Sequence, residues 1–406
     1  MRKSVHGFDG FTRKLKKEKS VFIRVIRQIR VQKNMRPITN VLIKPSGPDC
    51  NLACNYCFYL EKLQSYPRAP RMSETVLDAL LRQLLAQPAP QISIGWQGGE
   101  PTLMGLPFYR KAVELMQRYG RGQAIANGFQ TNGLLIDHAW AKFFRDYQFL
   151  VGLSLDGPEH IHNHYRRNHA GSGSWRKVRD AAHLLLDSGA EVNVLSVVNA
   201  YSVQFPDEIY TFHKENGLRF MQFIPCVETE GVGVANFSVS AASYGAFLCR
   251  IFDLWLVDFV NGAPTTSIRW FEALLFQYAG FPPTECSLLE TCGSYLLIEH
   301  NGDVYPCDFF AEPGWKLGNL LETPLPVLFN APQQATFGGL KSTLPADCRA
   351  CEWRVHCRGG CTKDRLRNPA LDGRNHFCKA YKTFFPHADV RMQGLANEWK
   401  KQNTTT

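Results

Sequence analysis

The sequence predicts an α/β protein: a partial (β/α)6 TIM-like barrel followed by a C-terminal cysteine-rich module. Three observations carry this. Short apolar runs alternate with longer helical patterns six times between residues 40 and 224. The unusual polar and cysteine motifs of that region each fall just after an apolar run. Eight of the thirteen cysteines lie in the last third. Repeated strand–helix alternation implies a parallel sheet, and in a parallel barrel the C-terminal strand ends form the active-site rim. Six units rather than eight imply an open barrel.

Taken in order, the predicted strands are Asn40–Lys44, Gln91–Trp96, Gln123–Gln130, Phe149–Leu153, Glu191–Val198 and Arg219–Ile224. Amphipathic stretches separate them: Ser73–Gln87, Pro107–Tyr119, His138–Tyr147, Ser174–Ser188 and Pro206–Asn216. Ser73 suits a helix start. From about Val239 the pattern changes. Ser243–Asn261 and Thr266–Tyr278 read as helices. Tyr295–Glu299, the turn Asn301-Gly302-Asp303 and Val304–Cys307 read as a β-hairpin. A loop-rich, cysteine-rich module extends from there to about Tyr381, and the last residues carry no signal. The expected organisation is a basic arm over 1–38, the barrel over 39–238, linker helices and the cysteine module over 239–385, and a tail over 386–406.

Composition narrows the function. The chain has 406 residues, 45% hydrophobic and 20% charged, which is ordinary for a globular protein. No apolar run reaches the roughly 18 residues that span a bilayer, and residues 1–35 lack the apolar core and cleavage site of a secretory signal. A cytoplasmic location is the default. Residues 1–34 carry 11 Lys or Arg against two acids, so the rest of the chain is nearly neutral within the total of +10. The body has no global basic field for nucleic acid. The arm reads as a disordered tail, or Met35 is the natural start; a membrane surface or acidic partner is the alternative use of such a charge run.

Thirteen cysteines in a non-secreted chain point to metal sites rather than disulfides. Cys50, Cys54 and Cys57 sit in one eight-residue loop. Thiolates are natural iron–sulfur ligands. Three of them leave one iron of a [4Fe-4S] cube open to chelate a substrate, as an open catalytic metal site does. A zinc site is the bland alternative. The spacing resembles the signature of the radical S-adenosylmethionine (SAM) superfamily, in which the open iron holds SAM and one electron yields a 5′-deoxyadenosyl radical. Tyr56, Phe58 and Tyr59 support the resemblance, as does Gly98-Gly99-Glu100-Pro101. In that superfamily this segment contacts the SAM amino group: glycines allow close backbone approach, and Glu100 supplies an acceptor.

Cys286, Cys292, Cys307, Cys348, Cys351, Cys357, Cys361 and Cys378 suffice for two fully ligated [4Fe-4S] clusters, or for two structural zinc sites. The run from Cys348 to Cys361 with the later Cys378 resembles the SPASM module of peptide-modifying radical SAM enzymes. The resemblance implies that Cys286, Cys292, Cys307 and Cys361 hold the nearer auxiliary cluster, and Cys348, Cys351, Cys357 and Cys378 the farther one, making three clusters in all. Cys249 is expected in the core. Cys226, after the sixth strand, is read as buried without function.

From Val41 to Tyr381 the chain resembles the anaerobic sulfatase-maturating enzymes. The matching segments are Cys57–Leu60, Trp96–Leu103, Gln130–Gly133, Ser154–Pro158, Tyr165-Arg166-Arg167 with Gly171–Trp175, and Gly302–Asp308. Those enzymes oxidise a Cys or Ser of an unfolded sulfatase polypeptide to Cα-formylglycine, with hydrogen abstraction at Cβ, loss of a proton to a base, and departure of a second electron. The resemblance makes Asp308 the base, which must reach the proton it removes. It puts Tyr59 and Gln97 near the substrate peptide, Ser154 and Arg166 on SAM, and Gln130, Thr131 and Asn132 near the nucleoside. It implies a flavodoxin- or ferredoxin-type electron donor; a monomer is the default. His160, His162, His164 and His169 cluster around Tyr165 and read as surface residues. Two rivals stand beside this reading. One is another SPASM peptide maturase forming thioether or carbon–carbon crosslinks; many of those carry a longer N-terminal recognition domain than the 49 residues before Cys50. The other is a non-enzymatic iron–sulfur or zinc protein binding nucleic acid through the basic arm.

Overall fold

The structure, a computed structural model, describes residues 35–59, 62, 66, 71–231, 233–260 and 262–403. The basic arm over 1–34 and Thr404–Thr406 lie outside the described residues. The chain divides between Pro37 and Ile38, and the barrel and the cysteine-rich module both belong to the unit that begins at Ile38.

Six parallel strands pair in sequence order: β1 (Asn40–Lys44), β2 (Gln91–Trp96), β3 (Ala124–Thr131), β4 (Phe149–Ser154), β5 (Glu191–Val198) and β6 (Phe220–Pro225). Helices α1 (Glu74–Leu85), α2 (Gly105–Tyr119), α3 (His138–Asp146), α4 (Glu159–Tyr165), α5 (Trp175–Ser188) and α6 (Pro206–Glu215) return the chain between them. Ser73 caps α1 by accepting from the Val76 N–H at 3.3 Å, satisfying one of the donors a helix start leaves open. The expected strands are present within one residue at each end. The short helix α4 has no sequence signal, because Glu159–Tyr165 is too brief and too histidine-rich to show an apolar stripe.

The sheet does not stop at six strands. Its order is β7-β6-β5-β4-β3-β2-β1-β8-β9-β10, with β7 at Ser267–Ile268, β8 at Leu296–Glu299, β9 at Asp303–Tyr305 and β10 at Gly318–Asn319. Strand β8 runs parallel to β1, pairing Val41 with Leu296 and Lys44 with Glu299. The expected hairpin is β8–β9, antiparallel, but it is an extension of the barrel sheet rather than a detached module. The auxiliary cysteine region is thereby fixed against the rim.

Between α7 (Ala241–Val257) and α8 (Arg269–Tyr278) the chain forms β7 and small turns, so the two expected helices are shorter than the sequence suggests. The end of the chain differs most. Of the tail expected over 386–406, residues 386–403 form the second part of helix α9, Cys378–Asn403. Ala380, Phe384, Phe385, Ala388, Met392 and Ala396 are buried at helical spacing, and Phe384 stacks on Phe271 of α8 with centroids 5.5 Å apart. Pro386 disguises the helix in sequence: it deletes one backbone donor but lies on the exposed side of the helix, away from the packed face.

Candidate active site

Every motif after a barrel strand lands on one rim. The three-thiol loop is pinned by backbone bonds from Ala53 N–H to Arg167 O (2.8 Å) and Cys57 N–H to Cys54 O (3.0 Å). Asn132 Nδ2 donates to Asn51 Oδ1 at 2.7 Å, tying this loop to the end of β3. Burial pushes the Cys50 thiol up and takes Cys54 to about 11, while the Arg166 guanidinium pulls Cys54 back down. Thiols so buried favour the thiolate only with a cation or metal beside them.

Gly99 shows why the Gly-Gly-Glu-Pro segment needs glycine. A Cβ there would lie 1.9 Å from the Asp49 carbonyl oxygen, and Gly98 sits at φ +143°. Gly99 N–H donates to Gly47 O at 2.7 Å, so the segment is laced directly to the chain entering the cysteine loop. Glu100 is 1% exposed. Its Oε1 accepts from Thr102 N–H (3.0 Å), Thr102 Oγ1 (2.6 Å) and Thr131 Oγ1 (2.8 Å), and its Oε2 from Asn132 N–H at 2.7 Å. Burial pushes this carboxyl upward and the four donors oppose it. Glu100, Thr131 and Asn132 thus form one cluster, in which only Oε2 keeps unused acceptor capacity. Gln130 donates to Ser154 Oγ at 2.8 Å, making a second polar pair on the same rim.

Arg166 is neither solvated nor turned outward. Its Nε donates to Asp156 Oδ2 at 3.0 Å, where Asp156 also accepts from Tyr56 Oη (2.5 Å) and, on Oδ1, from Val197 N–H (3.0 Å). Asp156 lies within the Ser154–Pro158 motif, yet nothing in the sequence marks it as a site residue; a buried arginine needs such a partner. His162 corrects another expectation. It is fully buried, taking the Asp156 N–H at 3.3 Å and bonding Ser174 Oγ at 2.9 Å, and burial lowers its pKa to about 3. It stays neutral and braces the rim. His160, His164 and His169 are exposed as expected.

Asp308 is buried beside the auxiliary cysteines. Tyr295 Oη donates to its Oδ1 at 2.8 Å and lies 3.1 Å from Cys307 Sγ. Tyr59 is buried, its hydroxyl donating to Glu299, and Lys44 Nζ stands 3.8 Å from its ring centroid. Phe58 packs on Phe309 at 4.7 Å, linking the first cysteine loop to the Asp308 turn. Gln97 is fixed at the end of β2 by its N–H bond to Ile43 O at 2.9 Å. Lys44, Glu299 and Tyr295 escape sequence reasoning, because each is an ordinary residue until its neighbours are known.

No cysteine among the described residues is in a disulfide. The last eight fall into two groups by mutual influence. Burial is the main cause that raises the thiols of Cys286, Cys361 and Cys307, and Cys292 adds to it at Cys286, Cys286 at Cys361 and Cys361 at Cys307. Cys348, Cys351 and Cys378 add to the effect of burial on Cys357 in the same way, and these four line one small cavity of about 50 Å³ with Trp353 and Tyr381. Among the described residues no three His, Cys, Asp or Glu side chains converge as they would on one ion. A single zinc gathers thiolates at about 2.3 Å, whereas a four-iron cube takes them at its wider-spaced corners. Four thiols in each group match the four corners of a fully ligated [4Fe-4S] cube. Cys226 is buried among Leu52, Cys54 and Tyr56, and Cys249 packs against the main core.

Comparison with known proteins agrees with this geometry. Residues 45–209 match the Radical SAM superfamily and residues 286–352 the SPASM iron–sulfur cluster-binding domain. The serine-type anaerobic sulfatase-maturating enzyme of Bacteroides thetaiotaomicron is 38% identical over 384 residues, spanning 89% of this chain and 92% of its own. The cysteine-type enzyme of Clostridium perfringens (strain ATCC 13124) is 37% identical over 371 residues, spanning 90% of this chain and 100% of its own. A solved structure of native anSMEcpe with bound AdoMet and Cp18Cys peptide superposes with a TM-score of 0.83 at 36% identity, covering 88% of this chain and 99% of that one. The chain belongs to the anaerobic sulfatase-maturating enzymes of the radical SAM superfamily.

Proposed function

We propose that this chain oxidises a target Cys or Ser of a sulfatase polypeptide to Cα-formylglycine. The observation that carries the reading is Asp308: a buried carboxylate, oriented by Tyr295, opening beside Cys307 on the same rim as Tyr59 and Gln97. In this reading Cys50, Cys54 and Cys57 hold the SAM-side cluster. Cys286, Cys292, Cys307 and Cys361 hold the nearer auxiliary cluster, and Cys348, Cys351, Cys357 and Cys378 the farther one. SAM and the clusters supply the one-electron chemistry that takes a hydrogen from the target Cβ and receives the second electron. The chain's own residues do the rest. Gly98, Gly99 and Glu100 shape the seat for the SAM ammonium, with Gln130, Thr131, Asn132 and Ser154 as polar contacts. Arg166 acts with Asp156 beneath the cysteine loop. Tyr59 and Gln97 position the peptide, and Asp308 accepts the thiol or hydroxyl proton.

The neutral body and the family make the rival nucleic-acid role superfluous. A flavodoxin- or ferredoxin-type donor, a cytoplasmic location and a monomeric state complete the proposal. Among the described residues no helix is long and apolar enough to cross a membrane. The test is anaerobic turnover with SAM, dithionite and peptides bearing Cys-x-Pro-x-Arg or its Ser counterpart. The Cys peptide should lose about 18 Da and the Ser peptide about 2 Da, with 5′-deoxyadenosine formed. D308N should still form 5′-deoxyadenosine while losing formylglycine. If the wild-type enzyme forms 5′-deoxyadenosine and leaves both peptides unchanged, a crosslinking activity replaces this one.

A further inference from the structure

We infer that Lys44 is a positioning residue of this reaction: a buried ammonium that sets the nearer auxiliary centre to take up the second electron. The inference rests on the formylglycine reading. It starts from the sheet. Lys44 ends β1 and Glu299 ends β8, paired in parallel register, so both side chains point to the same face. Both are 0% exposed. Their charges are of opposite sign, and between them lies Tyr59, whose hydroxyl donates to Glu299 while its ring lies under Lys44 Nζ. Phe58, the neighbour of Cys57, also lies within cation–π range at 5.4 Å.

The nitrogen itself has no hydrogen-bond partner. A buried ammonium without one is unfavourable unless nearby charge offsets the loss of hydration. Other buried cations of this region are satisfied. Arg166 has Asp156, Lys363 has Glu228 at 2.7 Å, and Lys341 donates to the carbonyls of Cys286 and Ser287 at 2.6 and 2.8 Å. Lys44 is held instead by a field. Burial pulls its pKa down, and the groups that push it back are Asp308, Glu299, Cys57 and Cys307. That set includes one ligand thiol from the SAM-side loop and one from the nearer auxiliary group, with the proposed base next to the latter. Geometry says the same: Lys44 Nζ lies over Phe58, the residue after Cys57, and that ring packs on Phe309, two residues after Cys307, so the amine sits at the seam between the two thiol groups.

The charge has a use there. During turnover the target Cβ–H bond breaks homolytically, the heteroatom proton passes to Asp308, and the second electron must leave into an iron–sulfur centre as the carbonyl or thiocarbonyl forms. A fixed positive charge in a water-poor site lowers the energy of the state carrying the extra electron. Lys44 makes the auxiliary centre a better acceptor and so couples SAM cleavage to product.

The test compares K44M with K44R and wild type, reconstituted anaerobically. Potentiometric titration read by electron paramagnetic resonance follows the centres, the SAM-side one being recognised by its response to SAM. K44M should shift one auxiliary centre to more negative potential, leave the other at its wild-type value, and raise 5′-deoxyadenosine formed per formylglycine at least threefold. K44R, which keeps the charge, should restore both readouts. A packing role alone would not produce a selective shift that arginine rescues. Wild-type potentials and a wild-type product ratio in K44M overturn the inference. Should K44M fail to take up its clusters, K44M/E299Q removes both buried charges and carries the same comparison. If wild-type enzyme makes no formylglycine, the function reading fails, while the potential shift still reports on Lys44.

Discussion

Truncating Arg166 should unlock the SAM-side cysteine loop at a cost that can be worked from its contacts. Arg166 and Asp156 are 7% and 1% exposed, and the Arg166 Nε bond to Asp156 is 3.0 Å long. Removing one member of a buried pair costs about 3–5 kcal/mol, because the other charge is stranded. In R166A, Asp156 would keep two of its donors, the Tyr56 hydroxyl at 2.5 Å and the Val197 N–H at 3.0 Å. The expected loss is therefore near the lower end, about 3 kcal/mol, or more than a hundredfold in the folding equilibrium. Converting the stranded carboxylate to an amide in R166A/D156N should recover roughly half of that, since the residual penalty is for charge rather than volume. R166K keeps a point charge but not the guanidinium plane over Tyr56 at 5.4 Å, so about 1–1.5 kcal/mol is expected. The measurement is urea unfolding of the reconstituted enzymes under anaerobic conditions, compared by midpoint at constant slope, with iron content alongside. An R166A midpoint within about 0.5 kcal/mol of wild type, or a double variant no better than R166A, would refute the argument.

The same contacts predict other outcomes. G99A should abolish SAM cleavage, because its Cβ would fall 1.9 Å from the Asp49 carbonyl; SAM binding by equilibrium dialysis and 5′-deoxyadenosine yield check this. His162 and His213 are buried with pKa values pulled down from 6.5 to about 3. The stability from keeping them neutral is present above about 6.5 and drains as pH falls toward about 3, at roughly 1.4 kcal/mol per pH unit for each. Urea midpoints between pH 7.5 and 5 should show this slope, and H213Q should remove about half of it. C226A should keep iron content and turnover within about twofold of wild type while losing roughly 1 kcal/mol of stability from the packing against Leu52 and Tyr56; loss of a cluster would make Cys226 a ligand.

Much of the site is legible in the sequence because its parts are local. Cys50, Cys54 and Cys57 share one loop, and Gly98 to Glu100 come directly after one strand, so each is a contiguous motif that a family resemblance can pick out. What escapes the sequence depends on partners distant in the chain. Asp156 gains meaning only when Arg166 folds back onto it, and His162 reads as surface until Ser174 and the Asp156 backbone enclose it. The C-terminal helix escapes for a different reason: Pro386 reads as a stop, and the packing of Phe384 on Phe252 and Phe271 and of Phe385 on Trp270 outweighs it.

The sequence by itself determined the barrel, the cysteine inventory and the rim on which the chemistry sits, since periodicity and residue type are local properties of a chain. The tertiary structure alone decided that β8 joins β1. Pairing across a sheet depends on which hydrophobic faces can be buried together, and no local signal encodes that. That one parallel pairing sets Lys44 beside Glu299 and brings the Cys307–Phe309 turn against Phe58, the neighbour of Cys57.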